Sequence, residues 1–237
     1  MVTGKNSSGH LKLVAFDLDG TLIRPRSSWK YLHQKLGTWE MAKPNAELFY
    51  DKKITWEEWA NRDAKLWKGI STDEVERIAR NCPITRGAKE TVHRLRERDF
   101  ALAIISGGLF LFAKRVGQEL KIPYIFANKL NSEDGILTGE VVNSVTQTNK
   151  CELLSLLLER IGLSLRQTVA IGDDFTMIPM FKTVGLSIAF NPSKLDVGKG
   201  ACVTVNSRSL LTVLPYILSG WTDVTSNLSK TRMHTKA

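Results

Sequence analysis

Residues 11–21 read Leu-Lys-Leu-Val-Ala-Phe-Asp-Leu-Asp-Gly-Thr. The apolar run Leu13–Phe16 has the character of a buried parallel strand, and it delivers two carboxylates, Asp17 and Asp19, before the chain stops at Gly20-Thr21. Side chains two apart at a strand end can aim the same way. Paired carboxylates repel unless a cation or a shared proton relieves them. One carboxylate can attack phosphorus, and its neighbour can protonate a leaving alcohol and later activate water. The stretch therefore predicts phosphoryl transfer through an aspartate, and the rest of the chain is read by what it adds to that pair.

Downstream, the texture alternates between strand and helix. Phe100–Ile105 reads as a strand ending at Ser106-Gly107-Gly108, with a helix following to about Leu120. Thr168–Ile171 reads as a strand ending at Gly172-Asp173-Asp174. Two short alternating runs within 125–142, parted by Asn131-Ser132-Glu133-Asp134-Gly135, predict a β-hairpin. An apolar helix spans about 148–161 and is closed by Gly162; helices near 87–98, 176–183, 193–199 and 208–218 and strands at 186–190 and 202–205 complete the pattern. This predicts an α/β, Rossmann-like parallel sheet with helices on both faces. Ligands in such sheets bind at the carboxyl ends of strands. Three strands here end in Asp17/Asp19, Ser106 and Asp173/Asp174, so one site is expected to gather them.

Between the first strand and the rest, 24–84 is helical in texture and holds Trp29, Trp39, Trp56, Trp59 and Trp67, five of the six tryptophans. Helices are expected to Leu36 behind Ser27-Ser28, from Thr55 to Lys68, and over Asp73–Arg80. The expected organisation is a flexible tail at 1–10, a core domain of 11–23 and 85–218, a small helical cap at 24–84, and a flexible tail at 219–237.

Bulk properties narrow the function. The chain has 237 residues, 43% hydrophobic, enough for one sizeable core. Three cysteines without a CxxC pair and four scattered histidines disfavour a disulfide framework, a zinc site and a Ser-His-Asp triad. No apolar run is long enough to span a bilayer and the N-terminus lacks a signal-peptide core, so a cytoplasmic protein without membrane contact is expected. The net charge of +9 is spread along the chain among acids; it suits a small anionic substrate better than nucleic acid. Asp173 would complete an all-oxygen set with Asp17 and Asp19, which suits Mg²⁺. Gly20-Thr21 and Ser106-Gly107-Gly108, the latter read as opening a helix, offer N–H groups and hydroxyls to a phosphate, and Lys150 offers charge.

The DxDGT stretch resembles the signature of the haloacid dehalogenase superfamily, and most of 11–218 resembles its phosphoserine-phosphatase-like branch. The likeness runs through AFDLDGTL, AIISGG, FANKL with DGILTGEV, Asn149-Lys150, and VAIGDDFTMIPMFKTVGLSIAFNP. It implies Asp17 as nucleophile and Asp19 as general acid/base. It implies phosphate binding by Ser106 and Lys150, to which the residue reading above adds Thr21 and Gly107, and Mg²⁺ held by Asp17, the carbonyl of Asp19, and Asp173. It further implies a cap at 24–84 over the site. Three departures bear on it. The fourth motif of the relatives, GDGxND, is here Gly172-Asp173-Asp174-Phe175-Thr176-Met177, so Asp174 is the candidate second acid and possible metal ligand. Where phosphoserine phosphatases carry a Glu after DxDGT and a cap Arg, the nearest equivalents here are Arg26 and Asp63, with charges reversed. The expected function is an Mg²⁺-dependent phosphatase acting on a small phosphorylated metabolite other than L-phosphoserine, as a monomer or homodimer. The competing readings are a true phosphoserine phosphatase and a non-catalytic metal- or phosphate-binding regulatory domain.

Overall fold

The computed structural model describes residues 11–219; the expected tails, 1–10 and 219–237, lie outside that range apart from Ser219. Its centre is the predicted first strand, β1 (Leu13–Phe16), every residue of which is buried. β1 pairs in parallel with β2 (Ala101–Leu109) on one side and β5 (Thr168–Gly172) on the other. With β3 (Tyr124–Glu133), β4 (Ile136–Val142), β6 (Leu186–Phe190) and β7 (Val203–Val205), the sheet has seven strands in the order β4-β3-β2-β1-β5-β6-β7. β4 alone runs antiparallel, as the second arm of the hairpin read from sequence. The α/β fold class is as expected.

The helices are α1 (Ser28–Leu36), α2 (Trp39–Tyr50), α3 (Trp56–Lys65), α4 (Thr72–Arg80), α5 (Ala88–Arg96), α6 (Phe110–Leu120), α7 (Lys150–Ile161), α8 (Ile178–Phe181), α9 (Leu195–Gly200) and α10 (Leu214–Leu218). Caps explain several starts: Ser27 Oγ accepts from Lys30 N, and Thr55 with Glu58 forms a reciprocal capping box. Two expected helices are shorter than read. The helix at 176–183 is a 3₁₀ turn over Phe175–Met177 followed by one turn of α8, and that at 208–218 is a 3₁₀ turn over Leu210–Val213 followed by α10. Pro179 and Pro215 sit in the first turns of α8 and α10, where their missing N–H groups separate the α turn from what precedes it.

α2 has no counterpart in the sequence reading. Pro44 lies inside it and only Ala42 is buried, so neither propensity nor an apolar stripe announces it. The strand at Ser106 also differs. It continues through Gly107 and Gly108 to Leu109, and α6 opens only at Phe110, so the expected helix start at Ser106-Gly107-Gly108 is corrected. Partners from distant segments hold this stretch extended: Trp29 Nε1 and Asn128 Nδ2 donate to Gly107 O, and Leu109 N donates to Ser28 Oγ.

The insertion between β1 and α5 is joined to the core by two crossing chains. Ile23 and Ile84 form an antiparallel bridge, with Arg24 N donating to Pro83 O at 3.0 Å and Thr85 N to Leu22 O at 2.9 Å. The insertion also leans on the hairpin, through Gly69 N to Leu137 O, Leu137 N to Ile70 O and Thr72 N to Gly135 O. Its apolar residues, including Trp67, Val75 and Ile78, share one buried cluster with Val14 and Phe16 of β1. Burial of this continuous apolar surface is the main term holding insertion and sheet together.

Candidate active site

The carboxyl ends of β2, β1 and β5 open beneath α2 and α3 onto a cavity of about 100 Å³. Asp17, Asp19, Ser106, Gly107, Lys150, Asp173 and Asp174 all line it, as does Arg26. Of the predicted site residues, only Thr21 and Asp63 are absent from its wall.

Asp17 follows β1 directly. Its Oδ1 accepts the N–H of Leu18 at 2.7 Å, and its Oδ2 meets Lys150 Nζ at 2.7 Å. Both side chains are buried, at 4% and 5% exposure, so the pair is desolvated and neither partner can be removed cheaply. Lys150 is the first residue of α7, where the helix dipole disfavours a cation. Burial also pulls its pKa down, but the charges of Asp17 and Asp174 more than reverse this and hold it above the ordinary lysine value.

Asp19 is held by one residue of the insertion. Ser28 N donates to Oδ1 at 2.9 Å and Ser28 Oγ to Oδ2 at 3.0 Å, while the same hydroxyl accepts from Leu109 N at 2.9 Å. Gly108 makes this possible: a β-carbon there would stand 2.7 Å from both Asp19 Oδ2 and Ser28 Oγ. Burial pushes the Asp19 pKa up to about 7, and the charge of Asp17 adds to that, against the opposing hydrogen bonds from Ser28. A carboxyl poised there can hold a proton near neutral pH and give it up again.

Asp173 extends from β5 beside Gly20. Gly20 has φ +67°, and a side chain at that position would collide with the Asp173 carboxylate, so glycine serves both the turn and the close approach. Burial, then the charges of Asp17 and Asp174, lift the Asp173 pKa to about 8, with Arg26 opposing. Arg26 Nη1 donates to Asp173 Oδ2 at 2.7 Å and Nη2 to Asn191 O at 3.0 Å. Asp174 caps the following turn: Oδ1 accepts from Thr176 N at 2.9 Å and from Thr176 Oγ1 at 2.6 Å. Burial first, and Asp17 next, raise its pKa too.

This surplus of buried carboxylate is the observation against which a divalent cation is tested. Among the described residues no group of three His, Cys, Asp or Glu side chains converges tightly enough to hold an ion. The donors that fit are two carboxylates, Asp17 and Asp173, with the carbonyl of Asp19; the Asp19 side chain itself is committed to Ser28. Mg²⁺ commonly takes one or two carboxylates and leaves its other positions to water and substrate phosphate, so the donor set fits.

Two expectations are corrected by position. Thr21 is wholly buried in the tight loop Leu18–Leu22, its hydroxyl has no partner, and it is not on the cavity wall. The left-handed Gly20 turns the chain inward there. Asp63 is also buried: Asn45 Nδ2 donates to its Oδ1 at 2.9 Å, and His33 Nε2 lies 3.2 Å from its Oδ2 without hydrogen-bond alignment. It borders a tightly closed gap among Trp29, Trp56 and Trp59 that has no room for a water molecule. Asn45 belongs to α2, and without that helix the acid had no visible partner.

Trp67 is core, fully buried and stacked on Trp29 at 5.5 Å. Trp29, Trp56 and Trp59 do reach the catalytic cavity, joined by Phe49 and Tyr50 of α2 and by Phe175. The sequence reading also missed Ser28 as the holder of Asp19, naming it only as a helix cap. Asn128 was missed as well: it ties Gly107 O to Val145, donating to both carbonyls at 2.9 Å and accepting from Val145 N at 2.8 Å. A lone buried Asn or Ser carries no local signal of such a role.

A profile of the haloacid dehalogenase-like hydrolases matches residues 14–181. The phosphoserine phosphatase of Methanocaldococcus jannaschii is 32% identical over 207 residues, which is 87% of this chain and 97% of that protein. That of Lactococcus lactis is 28% identical over 206 residues, 86% and 94% of the two chains. A solved phosphoserine phosphatase in a phospho-aspartyl intermediate analogue state superposes with a TM-score of 0.77 at 31% identity, over 88% of this chain and 99% of that one. No helix among the described residues is long and apolar enough to cross a membrane. With Asp17, Asp19, Lys150 and Asp173 gathered at the strand ends, the chain belongs to the haloacid dehalogenase-like hydrolases, in their phosphoserine-phosphatase-like branch, and is a phosphoric monoester hydrolase.

Proposed function

We propose that the protein is an Mg²⁺-dependent phosphatase that hydrolyses a small phosphomonoester through an aspartyl-phosphate on Asp17. The observation carrying this reading is the pairing of Asp17 with Lys150 beside a separately held Asp19 of raised pKa. Lys150 holds the Asp17 carboxylate in place at 2.7 Å, and it lies where charge on the transferring phosphoryl group would gather. Asp17 attacks phosphorus, and the protonated Asp19 gives its proton to the leaving alcohol. The same carboxylate then takes a proton from the water that cleaves the acyl phosphate. Mg²⁺, when bound by Asp17, the Asp19 carbonyl and Asp173, would neutralise phosphate charge. Ser106 and Gly107 border the phosphate from the β2 side, and the insertion at 24–84 acts as a cap that excludes water.

The substrate is proposed to be other than L-phosphoserine. Its ammonium and carboxylate would need charged partners on the cap side of the cavity. That side presents Trp29, Phe49, Tyr50, Trp56 and Trp59; Arg26, the one cation there besides Lys150, is tied to Asp173 and Asn191. Such walls favour an apolar or aromatic leaving alcohol. The names of the relatives favour a second reading, a true phosphoserine phosphatase. A reducing, cytoplasmic setting is part of the proposal and accords with three free cysteines.

A screen of phosphomonoesters with Mg²⁺, run beside Asp17→Asn, tests both levels. An aromatic or apolar ester should be the better substrate and the variant should be inactive. L-phosphoserine as the clear best substrate would overturn the specificity, and an active Asp17→Asn would overturn the mechanism.

A further inference from the structure

Beside the catalytic cavity, and divided from it by Arg26, runs a larger groove of about 790 Å³. Four arginines line it, Arg24, Arg26, Arg86 and Arg208, and no carboxylate does. Among the described residues, the side chains of Arg24, Arg86 and Arg208 have no ion pair and no hydrogen bond, whereas many exposed basic residues elsewhere find an acid on their own helix. Thr85 also lines the groove; it is 92% buried, from its 8% exposure, and its hydroxyl is without a partner. Like-charged guanidiniums gathered in one concavity, three of them uncommitted and none facing a carboxylate across it, suit multidentate recognition of an anion.

The walls are built rather than incidental. Arg24, Thr85 and Arg86 lie on or beside the two crossing chains that join the insertion to the core, pinned by the Ile23–Ile84 bridge and by Leu210 N donating to Arg86 O at 2.8 Å. The opposite wall is locked by Asn191, which has φ +48°; it donates to Ser207 O at 2.8 Å and accepts from Ser207 N at 2.9 Å. We propose that this groove binds a free polyanion carrying at least two phosphate or carboxylate groups, separate from the substrate. The Arg26–Asp173 pair stands between the groove and the catalytic carboxylates, which sets the ligand apart from a long substrate. Seated between the crossing chains and the loops after β6 and β7, such an anion would fasten insertion to core, and it would compete with Asp173 for Arg26.

Calorimetric titration of the full chain with tripolyphosphate tests this, with EDTA present and at 0.15 M salt to suppress diffuse attraction. One-to-one binding is expected, weakened at least tenfold in Arg86→Ser/Arg208→Ser and changed less than twofold in Lys150→Met. A melting scan of every variant, Lys150→Met included, selects the folded proteins that are compared; Arg86→Lys, which keeps charge but loses the planar fork, should give an intermediate affinity. Equal affinity in wild type and double variant, no binding to wild type, or loss of binding in Lys150→Met instead would each overturn the proposal.

Discussion

Replacing Gly108 with alanine should uncouple the proton-handling carboxylate while leaving the fold in place. The added β-carbon would lie 2.7 Å from Asp19 Oδ2, 2.7 Å from Ser28 Oγ and 3.2 Å from Asp19 Cγ. Gly108 sits in β2 between core strands, so the backbone has little room to retreat. Moving from 2.7 Å to the 3.4 Å of ordinary contact displaces the Asp19 carboxylate by about 0.7 Å and breaks its 3.0 Å bond from Ser28. Misplacement on that scale costs about 10²-fold in rate, at the low end of what general acid catalysis contributes. Overpacking of this size costs about 1–3 kcal/mol, which for a chain of this length lowers Tm by about 2–4 °C per kcal/mol. Gly107→Ala is the steric comparison for stability, because its β-carbon meets only Trp56 at 3.5 Å and the Val145 carbonyl at 4.0 Å. The assay is kcat on a chromogenic phosphate ester with a melting curve for each variant. A Gly108→Ala enzyme within threefold of wild type would refute the placement of Asp19.

Other perturbations probe different parts of the account. Asp63→Asn should leave KM within about threefold while costing stability, since Asp63 serves Asn45 and His33 rather than substrate; about 1–3 kcal/mol is expected from the buried network, read by denaturant unfolding. Without Mg²⁺, stability should fall as pH rises from 6 to 8. Asp19 and Asp173 have folded pKa values of about 7 and about 8, so the folded state holds protons the unfolded chain has already lost. Melting temperatures across that window should show a shallower slope in Asp173→Asn. At pH 8 a thiol reagent should label exposed Cys202 first and Cys82 only after unfolding, because burial, reinforced by the Asp19 charge, pushes the Cys82 thiol up to about 12.

Much of this was legible in residues 11–21 and in the strand ends that follow. A buried parallel strand announces itself by its apolar run, and acids placed just beyond it have few structural uses, so Asp17, Asp19 and Asp173 could be found by position. Specificity was less legible for a physical reason. Asp63 was visible as a charge reversal in the insertion, but its partner Asn45 lies on α2, a helix that Pro44 and its exposed surface conceal. Ser106-Gly107-Gly108 looks like a helix opening, yet Trp29, Ser28 and Asn128 pull it into a strand from 21 to 81 residues away. Local propensity cannot register partners at that separation. Arg26 was found as a charge reversal, while its place between two concavities emerges only once β6 brings Asn191 beside it.

The central claim is that Asp17 carries the phosphoryl group. Acid-quenching the enzyme during turnover, reducing the trapped acyl phosphate with borohydride and locating the modified residue by peptide mass spectrometry tests it directly. The account predicts conversion of Asp17 to homoserine in wild type and no modification in Asp17→Asn. Modification at Asp19 or Asp173, or turnover with no trapped residue at all, would contradict it.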